Sequence, residues 1–176
     1  MRSIKNLKNI QKLCLNNCNL NTDLIEELKE SLEDNESLTE ITLYTNDINA
    51  QGAQLISHML YNKVGLTTLG LSNNMITTGG ARELAPCLEG LTKLQKLSME
   101  SNLIGNAGCN AIAQALKNNI SLREIYLYNN ELTCDGLFDL ADMLVNKKQL
   151  TTLGLEYNRI RARGCNKIME SIEKLP

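Results

Sequence analysis

Aliphatic residues recur along this chain at a fixed step. Six segments begin at Ile10, Leu38, Leu66, Leu94, Leu122 and Leu150, each 28 residues after the last, and each carries an aliphatic residue at its first, fourth, sixth and eleventh positions. All 24 of these places hold Leu, Ile or Met. The fourth and sixth positions, Leu13 and Leu15 in the first segment, put two apolar side chains on one face of a short strand. The ninth position is Cys18 in the first segment and Asn46, Asn74, Asn102, Asn130 and Asn158 in the others. An asparagine side chain both donates and accepts, so this column predicts a ladder between adjoining loops, which Cys18 can join only weakly.

The rest of each segment changes period. In the fourth, Cys109, Ile112, Ala113 and Leu116 stand at i, i+3, i+4 and i+7, one stripe of a helix turned towards the strands. Leu60, Leu88, Leu144 and Ile172 hold equivalent places. Glycine stands just before or within each helix start at Gly52, Gly80, Gly108, Gly136 and Gly164. The first segment has Leu24 there, which predicts a different turn into its helix. A strand and a helix of this size cannot bury their apolar faces alone, so each unit must pack on its neighbours.

Segments such as IQKLCLNNCNL and LTTLGLSNNMI fit L-x-x-L-x-L-x-x-N/C-x-L, and on these motifs the chain resembles the leucine-rich repeat over nearly its full length. NLIGNAGCNAIAQALKNNISL (102–122) is similar to the ribonuclease-inhibitor-like subclass, also found in NOD-like receptors. The resemblance implies an α/β solenoid shaped as a horseshoe arc, with a parallel sheet on the concave face and helices on the convex face. One domain then spans 1–176, as five full repeats and a clipped sixth, with Met1–Asn9 as the helical remnant of a preceding repeat.

A longer period overlies the first. Copies one and four share QKL, copies two and five match TEITLYTN to REIYLYNN, and copies three and six share LTTLGL, so the pattern renews every 84 residues. RSIKNLK (2–8) aligns with ESIEKLP (170–176) on the same ruler. Excision from a longer solenoid and duplication of a three-repeat cassette both account for this. An exposed apolar solenoid end would invite self-association.

Composition narrows the function. The 176 residues carry 18 basic and 20 acidic side chains, a balance that argues against a nucleic-acid or polybasic membrane binder. With no Trp and one Phe, the core must be aliphatic. MRSIKNLKNIQKL has no apolar stretch of a secretory signal, and no apolar run approaches the roughly 18–20 residues that span a bilayer. The six cysteines are therefore read as free thiols in a reducing, cytoplasmic setting, with Cys87, Cys109, Cys134 and Cys165 as small buried hydrophobes. The sequons at Asn35 and Asn119 are then idle.

Little in the sequence can carry a reaction. The single histidine, His58, lies off the buried stripe and has no partner at matching spacing. No phosphate-binding glycine loop is present. Cys14 and Cys18 sit roughly 13 Å apart along an extended strand, too far to bridge, and no second pair completes a zinc site. No catalysis, cofactor or metal is expected.

The strand positions that point away from the helices are more informative. Position three reads Lys12, Glu40, Thr68, Lys96, Glu124, Thr152, and position five reads Cys14, Thr42, Gly70, Ser98, Tyr126, Gly154. Position seven reads Asn16, Tyr44, Ser72, Glu100, Tyr128, Glu156, and position eight ends in Tyr157. Four of the five tyrosines fall in this set. Tyrosine offers a large, stiff, amphipathic contact, and an acidic rim steers a basic partner. Tyr44, Glu100, Glu124, Tyr126, Tyr128, Glu156 and Tyr157 are the candidate partner-binding residues of a protein-interaction module. The resemblance also admits an inhibitor of a basic enzyme of the ribonuclease-inhibitor type. It admits a GTPase-activating protein of the Ran-activator type, or a sensor or spacer segment of a larger NOD-like receptor or effector. The few cysteines, the uniform 28-residue step and the lack of an acidic tail weaken the first two.

Overall fold

A computed structural model describes residues 7–173. Six three-residue strands, β1 (Lys12–Cys14), β2 (Glu40–Thr42), β3 (Thr68–Gly70), β4 (Lys96–Ser98), β5 (Glu124–Tyr126) and β6 (Thr152–Gly154), form one parallel sheet in chain order. The register is uniform: Lys12 pairs with Glu40, Glu40 with Thr68, and Glu124 with Thr152. Six helices alternate with the strands: α1 (Thr22–Ser31), α2 (Ala50–Leu60), α3 (Thr77–Gly90), α4 (Gly105–Leu116), α5 (Phe138–Leu144) and α6 (Arg161–Ile172). Helix α5 is short because a 3-10 turn, Cys134–Leu137, takes the first part of its place. Of the expected helical remnant Met1–Asn9, residues 1–6 lie outside the described part, as do residues 174–176.

The core lies between sheet and helices. Ile41, Leu43, Leu69, Leu71, Leu97, Met99, Ile125 and Leu127 are fully buried, and they meet the stripe Cys109, Ile112, Ala113 and Leu116 from the other side. Burial weakens in the last repeat. Leu150, Leu153, Leu155 and Ile160 are only partly buried, and Ile172 is 46% exposed instead of facing the core as its stripe position predicts. Among the described residues no later unit packs over α6.

The asparagine column forms the predicted ladder. Asn46 Oδ1 accepts from the backbone N–H of Cys18 and Leu20, and Asn74 Oδ1 from Asn46 and Ile48. Each Nδ2 returns to carbonyls of its own and the preceding repeat, as Asn74 does to Leu43 and Leu71. Cys18 stays outside: it is exposed, and its thiol donates to the Asn16 carbonyl.

The glycines at the helix starts reflect close approach. A methyl on Gly80 would lie 2.7 Å from Ile76 Cγ2 and 2.9 Å from Ala53 Cβ of α2. Helix α1 has no described helix on that side, so Leu24 is accommodated. Its turn matches that of α2, where Asn49 accepts from the Gly52 N–H at 3.0 Å as Asn21 does from Leu24 at 3.0 Å, and differs from those of α3, α4 and α6, which start without a side-chain cap.

A second column renews with the longer period. Leu7, Asn35, Lys63, Leu91, Asn119 and Lys147 follow one another at 28-residue steps. Asn35 donates to the carbonyls of Leu7 and Ile10, and Asn119 to those of Leu91 and Leu94. Lys63 Nζ donates to the carbonyls of Leu32, Glu33 and Asn35, and Lys147 Nζ to those of Leu116, Lys117 and Asn119. Each lysine thus gathers carbonyls at and just beyond the end of the preceding helix, one of which, Leu32 or Leu116, also accepts a backbone N–H. Burial lowers the pKa of both, that of Lys147 to about 8, while Glu36, Asp34 and Glu33 oppose the shift at Lys63. Both sequon asparagines are buried and spend their amide nitrogens inside the fold.

Two of the cysteines read as buried hydrophobes are so. Burial pushes the thiols of Cys87 and Cys109 up to about 12. The other two correct that reading: Cys134 is half-buried and Cys165 exposed. Cys165 sits on the face of α6 away from the core, next to the buried Gly164.

Candidate functional site on the open face of the sheet

The side of the sheet turned away from the helices carries all seven candidate residues, and they divide into distinct groups. At position three, Lys96 Nζ lies 2.9 Å from Glu124 Oε2, repeating the Lys12–Glu40 pair at 2.9 Å. Tyr126 Oη donates to the same Glu124 oxygen at 3.1 Å, and Lys96 Nζ stands 5.1 Å from the Tyr126 ring centroid. The bond from Lys96 is the main cause that lowers the Glu124 pKa, and the same bond raises that of Lys96. Burial raises the Tyr126 pKa, with Glu124 adding to it. Glu124 therefore does not belong to a free acidic rim, contrary to the sequence expectation; its charge is met by a lysine from the adjacent strand.

Two equivalent tyrosines lean in opposite directions. The Tyr44 ring occupies the space over Gly70, where any side chain would overlap it. Tyr128, one long period later, donates from Oη to Glu100 Oε1 at 3.3 Å, in the preceding repeat. The residue equivalent to Glu100 beside Tyr44 is Asn16, which instead accepts from the Tyr44 backbone N–H at 2.8 Å. Burial and the nearby Glu100 raise the Tyr128 pKa. The other oxygen of Glu100, Oε2, is buried with no hydrogen-bond partner.

Tyr126, Tyr128, Glu156 and Tyr157 line one shallow recess of about 350 Å³. Gly154 keeps it open: a methyl there would lie 3.1 Å from Tyr126 Cδ1 and 3.3 Å from Glu156 Oε2. Tyr157 is 85% exposed, the most exposed large apolar-bodied residue of the described chain. It also sits in the left-handed region at φ 56°, as do Asn17, Thr45, Asn73, Ser101 and Asn129 at the same place in the other repeats. Asparagine tolerates that conformation and tyrosine does so at a cost, so neither backbone nor packing calls for Tyr157.

Four of the seven predicted residues thus converge on the recess, Glu100 supports it through Tyr128, Glu124 is neutralised, and Tyr44 stands apart over Gly70. Lys96 and Gly154 were read in their columns but not as site residues; the alternation of Lys and Glu at position three was the signal for the first. His58 is exposed on α2. Among the described residues no group of three His, Cys, Asp or Glu side chains is placed to hold a metal ion, and no helix is long and apolar enough to cross a membrane.

No protein-family model and no curated protein sequence matches this chain. Among the solved structures that resemble it in backbone are the following two. The C-terminal domain of tropomodulin from Caenorhabditis elegans aligns over 96% of this chain and 85% of its own length, with a TM-score of 0.60 and 15% identity. An internalin from Listeria monocytogenes aligns over 97% of this chain with a TM-score of 0.54 and 22% identity. The fold is of leucine-rich-repeat type. This repeat chain spans 47% of the length of the internalin.

Proposed function

We propose that this chain is a protein-interaction module of the ribonuclease-inhibitor-like subclass, a horseshoe of 28-residue repeats that binds a protein partner on its concave face without catalysing a reaction. The observation that carries the reading is Tyr157, a large side chain left 85% exposed beside Tyr126, Tyr128 and Glu156. The left-handed turn is common to all six repeats, but the other five fill it with Asn, Thr or Ser, so a tyrosine there serves neither the turn nor the core. Rigid exposed tyrosines next to carboxylates are the surface chemistry of a hot spot for a basic partner. Affinity capture from source lysate tests this, with the native chain and a Tyr126→Ala, Tyr128→Ala, Tyr157→Ala variant of unchanged circular dichroism as baits. A protein retained by the first and lost from the second supports the reading. Equal retention, or none, refutes it.

A further inference from the structure

The geometry points to an arginine subsite: we propose that the recess lined by Tyr126, Tyr128, Glu156 and Tyr157 receives the guanidinium of an arginine exposed on a protein partner. The inference rests on the concave-face reading above and names the chemistry that the surface selects.

Three tyrosines line the recess, and the electron-rich face of a tyrosine ring attracts a cation held within about 6 Å of its centroid. Glu156 supplies the counter-charge. Its carboxylate makes no hydrogen bond or ion pair with any described side chain, and it is exposed. Glu100 adds a second negative charge behind Tyr128, with one oxygen already on the Tyr128 hydroxyl and the other without a partner. The neighbouring strands contain the same combination already filled: Lys96 stands over the Tyr126 ring and on the carboxylate of Glu124. In the recess Tyr126 already carries Lys96 at its ring, whereas Tyr128, Tyr157 and Glu156 have no cation beside them, because the residue one repeat after Lys96 is Glu124. The shape favours arginine over lysine. A planar guanidinium stacks on a ring and forks onto a carboxylate at once, whereas a compact ammonium does neither well and keeps its water. A trimethylated lysine needs enclosure on several sides, and this recess is shallow.

The test follows tyrosine ring resonances by NMR during titration with N-acetyl-arginine amide. The citrulline, lysine and trimethyl-lysine analogues are run in parallel. Saturable shifts at Tyr126, Tyr128 and Tyr157, with Tyr44 and Tyr61 unmoved, are expected for arginine, and no saturable shifts for neutral citrulline. Glu156→Gln is expected to weaken arginine binding about tenfold, the loss of one charge-assisted bond. Tyr157→Ala is expected to weaken it about fivefold, the loss of one exposed cation–π contact. Both positions are exposed, so the variants keep the fold. Shifts that do not saturate, equal response to citrulline, tighter binding of trimethyl-lysine, or an unchanged affinity in Glu156→Gln each overturn the subsite. If any of these occurs while the captured partner is still lost from the tyrosine variant, the concave-face reading stands and the arginine subsite alone falls. If capture fails too, both fall.

Discussion

Replacing Asn130 by alanine removes five hydrogen bonds from the centre of the ladder. Asn130 is fully buried, its Oδ1 accepts from Asn102 N and Ile104 N, and its Nδ2 donates to the carbonyls of Met99, Leu127 and Tyr128. The two sides of the amide do not matter equally. Each of the three carbonyls keeps a second donor: Asn102 Nδ2 on Met99, Asn158 Nδ2 on Leu127, and the Ser101 N–H on Tyr128. The N–H groups of Asn102 and Ile104 keep none among the described contacts. Two buried donors left unpaired cost roughly 1–3 kcal/mol each. The expected loss is therefore about 2–6 kcal/mol, a large part of the ~5–15 kcal/mol that holds an ordinary domain.

Asn158→Ala supplies the control. It removes the same pattern, two accepted and three donated bonds, but Asn158 is half-buried and water can replace its oxygen. Its loss should be less than half that of Asn130→Ala. Urea unfolding followed by far-UV circular dichroism gives both values, provided the slopes match, since repeat arrays can lose cooperativity. Hydrogen exchange at the Asn102 and Ile104 amides gives a local readout and should lose protection. A cost of about 1 kcal/mol or less for Asn130→Ala, or an equal cost for Asn158→Ala, would refute the assignment of the energy to unpaired buried donors.

Two further outcomes follow from single residues. Tyr157→Asn should raise stability by about 1 kcal/mol, because asparagine relieves the left-handed strain at φ 56°, while weakening partner capture; unchanged or lower stability in thermal unfolding would show the conformation is not strained. Lys147 has its pKa lowered from 10.5 to about 8 by burial, so the unfolded chain holds more protons between those values. The stability of the native chain relative to Lys147→Met should therefore rise as pH goes from 8 to 10.5 and be level below pH 8. A difference independent of pH across that window in urea titrations would show that the three carbonyls fully compensate the burial.

The repeating architecture was legible because its signals are local. Strand alternation and the helical stripe each span fewer than a dozen residues and recur six times, and the asparagine recurs in five of the six copies, so one aberrant copy is corrected by the rest. The Leu–Asn–Lys column is equally present in the sequence but has no local signature of burial. A lysine in a loop after a helix, as in YNKVG and VNKKQ, reads as solvated surface, and only the packed helix end shows that Lys63 and Lys147 are buried on carbonyls. The Cys165 thiol and Ile172 depart from their stripe for the opposite reason. A stripe position predicts burial only where another unit covers it, and among the described residues nothing covers α6.

The sequence by itself determined which residues form strands and helices, which face inward, and which columns stack at 28-residue steps, because periodicity is a property of the chain alone. Only the tertiary structure decided what the open-face side chains do. Whether Glu124 is free or held by Lys96, and whether a tyrosine leans forward onto Gly70 or back onto Glu100, depends on neighbours about 28 residues away and on which space is empty. Those choices separate four equivalent-looking tyrosines, leaving one over a glycine and gathering three around Glu156.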